Sequence, residues 1–217
     1  MPGPWVWETR SRRYRDTATG RFIGARDMVA LRDRFIDAQC ARMRDLAAAH
    51  ARGDLDVLAW QDAMRQEIKT TLIDEYVLGR GGRGSMTPSD WGRLGAMARR
   101  QYTYLQGFAN DLAAGRYVDA EGLVREDAIA QRAILYMHAG RASYERAHAR
   151  AYGVPALPAY PGEDCLGLTN CRCTWDIVPI ADGWECTWVA MGDATTCEVC
   201  GDHAAEWSPL HVAAGPF

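Results

Sequence analysis

A chain of 217 residues that is 48% hydrophobic and 24% charged is long enough for one ordinary domain, or one domain with a small satellite, and apolar enough to bury a core. That balance excludes global disorder, and apolar runs of only a few residues exclude a transmembrane helix. The net charge of −3 gives no overall nucleic-acid or membrane signature, but the charge is uneven: residues 1–26 hold six arginines against Glu8 and Asp16, whereas residues 159–217 hold nine acids against Arg172 alone.

The opening Met1-Pro2-Gly3-Pro4-Trp5-Val6-Trp7-Glu8 has neither the basic start nor the apolar stretch of a secretory signal, so a cytoplasmic origin is expected. Residues 1–26 read as a basic arm. Tyr14 and Phe22 flank an Asp16-Thr17-Ala18-Thr19-Gly20 turn, which suggests a small hairpin or extended tail with Gly20 at the bend. It carries too little apolar surface to fold alone.

Residues 27–153 read as four amphipathic helices. The first spans about 27–50, with Met28, Leu31, Phe35, Met43 and Leu46 near helical spacing. The second spans about 54–78, where Val57, Trp60, Met64, Ile68, Leu72 and Tyr76 recur every three or four residues. Gly79, Gly81, Gly82 and Gly84 then break the chain. Thr87, Pro88 and Asp90 supply cap, first-turn proline and acid for a third helix, whose stripe is Trp91, Leu94, Ala98, Leu105, Phe108 and Leu112. The fourth runs from about 124 to 152 and stops at Gly153. Four such helices on short links predict a mainly α, four-helix-bundle-like body.

Beyond Gly153 the composition changes. Pro155, Pro158 and Pro161 cannot continue a helix. Two β-prone pieces follow, 174–178 and 184–189, joined across an Asp182-Gly183 turn signal. Six of the seven cysteines lie in this tail, which predicts a small cysteine-rich β module over 154–217. An odd cysteine count in a chain without a secretory signal favours metal over disulfides. Cys197-x-x-Cys200 has zinc-knuckle spacing, and Cys171 and Cys173 share a face if the stretch is extended. The expected ligands are Cys171, Cys173, Cys197 and Cys200, with Cys165 as the alternate, holding a structural Zn2+. Cys186, between Trp184 and Trp188, is expected to pack, and His203 is a further but weaker ligand candidate.

Catalysis by that metal is not expected. His203-Ala204-Ala205-Glu206 has no second spaced histidine, and the His-x-Glu of zinc deaminases is absent. No Ser/His/Asp or Cys/His grouping is suggested, and Arg80 and Arg83 in the glycine break lack the phosphate-loop pattern.

Several blocks carry a resemblance. They are Tyr160-Pro161-Gly162-Glu163-Asp164-Cys165, Thr169-Asn170-Cys171-Arg172-Cys173-Thr174-Trp175, Thr196-Cys197-Glu198-Val199-Cys200 and Trp207-Ser208-Pro209-Leu210. With the arm's Arg13-Tyr14-Arg15-Asp16 and Thr19-Gly20-Arg21-Phe22-Ile23, with Trp60-Gln61, and with Gln101-Tyr102 and Tyr104-Leu105, they resemble the minor capsid proteins of tailed phages, of the Mu head-morphogenesis type. The resemblance implies a virion component without enzymatic activity, assembled in the bacterial host cytoplasm with the portal or major capsid protein. DNA contact through the basic arm is the alternative, against which the acidic tail counts.

Overall fold

The computed structural model describes residues 5–162, 171–192 and 196–214. Among them the chain is mainly helical, with a small strand region at its C-terminal end. In chain order the elements are β1 (Trp5–Glu8), β2 (Arg13–Asp16), α1 (Ala25–Ala51), α2 (Val57–Gly79), a 3-10 turn at Arg83–Ser85, α3 (Pro88–Ala113), α4 (Glu126–Tyr152), β3 (Thr174–Ile180), β4 (Gly183–Val189), α5 (Glu198–Glu206) and β5 (Leu210–Ala213). No helix among the described residues is long and apolar enough to cross a membrane.

Contacts group the chain differently from the chain-order division at 26 and 153. One unit comprises Arg34–Ile73 and Pro88–Gly140; the other comprises Met1–Asp33, Asp74–Thr87 and Arg141–Phe217. The first is a four-helix packing around Met43, Trp60, Met64, Ile68, Leu105, Phe108, Ile129, Ala133 and Met137, all fully buried. Phe108 meets Trp60 edge-on at 4.9 Å and lies parallel to Tyr136. Trp91 departs from its expected place in the stripe: it is exposed, and Asp90 takes the buried position.

In the other unit, β1 and β2 form an antiparallel hairpin pairing Trp5 with Asp16 and Glu8 with Arg13. The bend expected at Gly20 is also present, since Ile23 N donates to Tyr14 O and Gly20, at φ +69°, donates to Asp16 O. Tyr14 and Trp7 meet edge-on, and Tyr14 Oη donates to the carbonyl of Leu78. The glycine break serves this hairpin, because a Cβ on Gly81 would collide with the Trp7 ring.

Gly79, at the end of α2, lies against α4, where an added Cβ would press on the Tyr144 carbonyl and sit 2.8 Å from Ala147 Cβ. Gly79→Ala is therefore expected to cost about 1–3 kcal/mol by overpacking, read as a lowered urea midpoint. An unchanged midpoint would mean that α2 and α4 can separate freely here.

The C-terminal sheet has the order β3-β4-β5. Register runs from Thr174 opposite Val189 to Ile180 opposite Gly183, so the two-residue turn is Ala181-Asp182, one residue before the expected Asp182-Gly183, and Gly183 begins β4 instead. Its inner face holds Trp175, Ile177, Cys186 and Trp188, packed with Tyr152, Val154, Leu157 and Ala159. Cys171, Cys173 and Cys200 belong to this same core.

Candidate metal centre

Cys171 and Cys173 immediately precede β3. Their burial alternates with the exposed Arg172, so both thiols point inward, as an extended stretch requires. Cys200 arrives from α5, in the first turn after Cys197, and is 1% exposed. Its Sγ is 3.9 Å from that of Cys171, and the three sulfurs of Cys171, Cys173 and Cys200 all lie within 4.8 Å of one another. A disulfide would hold its sulfurs at about 2.05 Å, so none joins Cys171 to Cys200.

Cys197 lines the same small cavity, with Arg172, Met191 and Thr196, but its sulfur is outside the three-sulfur group. The cause is local. Cys197 is the N-cap of α5, with extended backbone (φ −76°, ψ 159°). An extended cap does not direct its side chain as position i of a helical i, i+3 pair does. Cys165 lies outside the described residues.

The remaining sulfur and imidazole candidates have other roles. Cys186 is fully buried in β4, opposite Ile177 and Leu210. Burial, reinforced by Asp176, pushes its thiol up to about 11, so it stays protonated as a packing group. His203 stacks on Trp207 at 4.1 Å and meets Trp188 edge-on at 4.9 Å. It belongs to an aromatic cluster with Trp175 rather than to the sulfur group.

The donor set fits a soft metal. A tetrahedral thiolate site with metal–sulfur bonds of about 2.3 Å places its sulfurs roughly 3.8 Å apart, close to the separation between Cys171 and Cys200. Three buried cysteines close together can thus bind a metal ion, and the apolar core around them suits a structural ion.

Behind the ligand stretch lies an ionic network that the apolar periodicity does not reveal. Arg32 of α1 is fully buried. Its Nε donates to Glu75 Oε2 at 2.9 Å, its Nη1 to Glu145 Oε1 at 2.7 Å and its Nη2 to the Arg141 carbonyl at 3.1 Å. The guanidinium also lies 3.6 Å above the Tyr144 ring centroid. Burial raises the pKa of both glutamates and outweighs the attraction of Arg32. Arg141 pairs with Asp33, and Asp33 also faces Arg172 at 3.6 Å.

Comparison of the chain with family models, with curated proteins and with solved structures finds no match.

Proposed function

We propose that this chain is a non-enzymatic structural protein of a tailed-phage head. In this reading it joins the portal or major capsid protein during assembly, with its C-terminal module held together by one Zn2+. The observation that carries the reading is the convergence of Cys171, Cys173 and Cys200 inside the core of a module too small to rely on apolar burial alone. Cys197, at the rim of the same cavity, is the fourth ligand, with Cys165 as the alternate. A metal bound this way orders a surface and leaves no open position for chemistry. The assignment to a phage head is supported by the Asn170-Cys171-Arg172-Cys173 and Cys197-Glu198-Val199-Cys200 blocks, the most specific part of the resemblance.

The test is to co-produce the chain with the portal and major capsid proteins of its own phage and weigh the purified proheads. Incorporation at a few copies per particle supports the proposal. Proheads of normal composition that never contain the chain would overturn it.

The alternative, DNA contact, is favoured by one feature. Arg10, Arg13, Arg15, Arg21 and Arg26 are all exposed, and Arg13 and Arg15 lie over the Phe22 ring at 5.2 and 4.7 Å. Reversing Arg10, Arg13 and Arg21 to glutamate separates the readings. With docking by protein surfaces, retention on DNA is weak in the parent and the reversal barely alters it. Under DNA contact, retention is lost and its salt dependence flattens by nearly one power of salt for each phosphate contact removed.

A further inference from the structure

We propose that Glu145, on α4 and 28 residues before Cys173 in sequence, is the positioning residue of the metal centre, setting the ligand pair Cys171 and Cys173 before any ion arrives. The inference rests on reading the three thiols as a metal site. Its basis is the carboxylate's set of partners. Glu145 Oε1 accepts from Arg32 Nη1 at 2.7 Å and from Thr174 Oγ1 at 2.8 Å, and Oε2 accepts from the backbone N–H of Trp175 at 3.2 Å. Thr174 and Trp175 are the first two residues of β3, directly after Cys173. The carboxylate is 1% exposed, so nothing replaces these bonds once lost.

The stretch is held on its other side as well. Arg172, between the two cysteines, faces Asp33 at 3.6 Å, and the Trp175 indole donates to the Ala159 carbonyl at 3.1 Å. The backbone from 172 to 175 is therefore fixed by groups on α1, on α4 and at residue 159, none of which offers a ligand. In metal sites, such outer partners decide how well ligands are oriented, and losing one typically weakens binding about 10–100-fold. Arg32 does the same one layer further back: its Nη1 donates to Glu145 Oε1 and holds the carboxyl group where it accepts from the strand. The geometry therefore makes metal affinity a property of α1 and α4 as much as of the cysteine module.

The test compares zinc affinity, by competition with a chromophoric chelator, in the full chain and in the variants Glu145→Gln, Thr174→Val and Glu75→Gln. Glu75 binds the same Arg32 and makes no described hydrogen bond to β3, so it is the control for the ionic network alone. The expected result is affinity weakened at least about 10-fold by Glu145→Gln, about 3-fold by Thr174→Val and little by Glu75→Gln. A second readout uses metal-free protein, in which the Trp175 amide should exchange faster in Glu145→Gln than in Glu75→Gln. If Glu145→Gln does not fold, Thr174→Val, which removes a single hydroxyl, carries the comparison. Equal losses in Glu145→Gln and Glu75→Gln, tracking stability alone, would overturn the positioning role. If the parent chain binds no zinc, the metal reading fails, and exchange at Trp175 then decides separately whether Glu145 holds the strand.

Discussion

Cys200→Ser is expected to abolish stoichiometric metal and to unfold the C-terminal module, whereas Cys186→Ala retains the metal. Both side chains are essentially fully buried in one core, so burial alone predicts similar, modest losses of about 1–2 kcal/mol for each. The metal reading separates them. Cys200 offers one of three mutually close sulfurs, while Cys186 is a protonated thiol between neighbouring strands. Structural zinc contributes an apparent 10–16 kcal/mol or so in small zinc modules, and most of that is folding free energy. Loss of one ligand should therefore remove several kcal/mol from a sheet of three short strands. Metal per chain, by elemental analysis of purified protein, gives the first measurement. Emission from Trp175 and Trp188, 5.1 Å apart beside the sulfur group, gives the second, shifting to the red when the core opens. A Cys200→Ser protein that keeps its metal and its emission would remove the metal centre from consideration. Chelation of the parent should reproduce the Cys200→Ser spectrum, and reloading should reverse it.

The parts of this molecule legible in the sequence are those written in a period. The apolar stripe of α2 predicts Val57, Trp60, Met64, Ile68, Leu72 and Tyr76 as core; the last five are essentially inaccessible, and Val57, the first residue of the helix, is half-buried. The Cys-x-Cys pair was readable because strand alternation leaves only one way for Arg172 to stay wet. The hairpin between β3 and β4 was readable, but its turn falls one residue before the Asp182-Gly183 signal, because Gly183 is used as the first paired residue of β4. Elsewhere the signal was missing or misleading. The buried face of α1 runs through Val29, Arg32, Ile36, Gln39, Cys40, Met43 and Ala47, and its two long polar residues hide it from an apolar count. The partner of β2 is Trp5–Glu8, too short and too proline-flanked to announce itself as a strand. Cys197-x-x-Cys200 reads as a symmetric knuckle, yet it straddles the start of a nine-residue helix, and only one of its sulfurs joins the group. Glu145 had no sequence signal, because its role depends on a strand that comes later in the chain.

Arg32→Met is expected to cost about 3–5 kcal/mol at neutral pH, the penalty of leaving buried carboxylates without their counterion. The loss should shrink as the pH is lowered. Burial holds the pKa of Glu75 and of Glu145 above that of an exposed glutamate even with Arg32 present, and without it both rise further. A carboxyl group with a raised folded-state pKa contributes its stability below the unfolded value and loses it as pH rises through the folded one. The variant should therefore be weakest on the alkaline side and approach the parent as Glu75 and Glu145 take up protons. His148 acts in the same direction in this comparison. Burial, with Arg32 adding to it, holds its imidazole down at about 3, so the parent loses stability as pH falls below the ordinary histidine range, and removing Arg32 relieves part of that. Chemical denaturation of both proteins at several pH values between 5 and 8 measures the difference directly. Adding Glu75→Gln and Glu145→Gln to the Arg32→Met chain should reduce the pH dependence to the part that His148 carries, because neither glutamate is then left to titrate. A penalty that stays constant across this range would overturn this account, because removing Arg32 would then change the protonation of neither carboxylate. A constant penalty that is also small is what loss of the guanidinium's packing on Tyr144 alone would give.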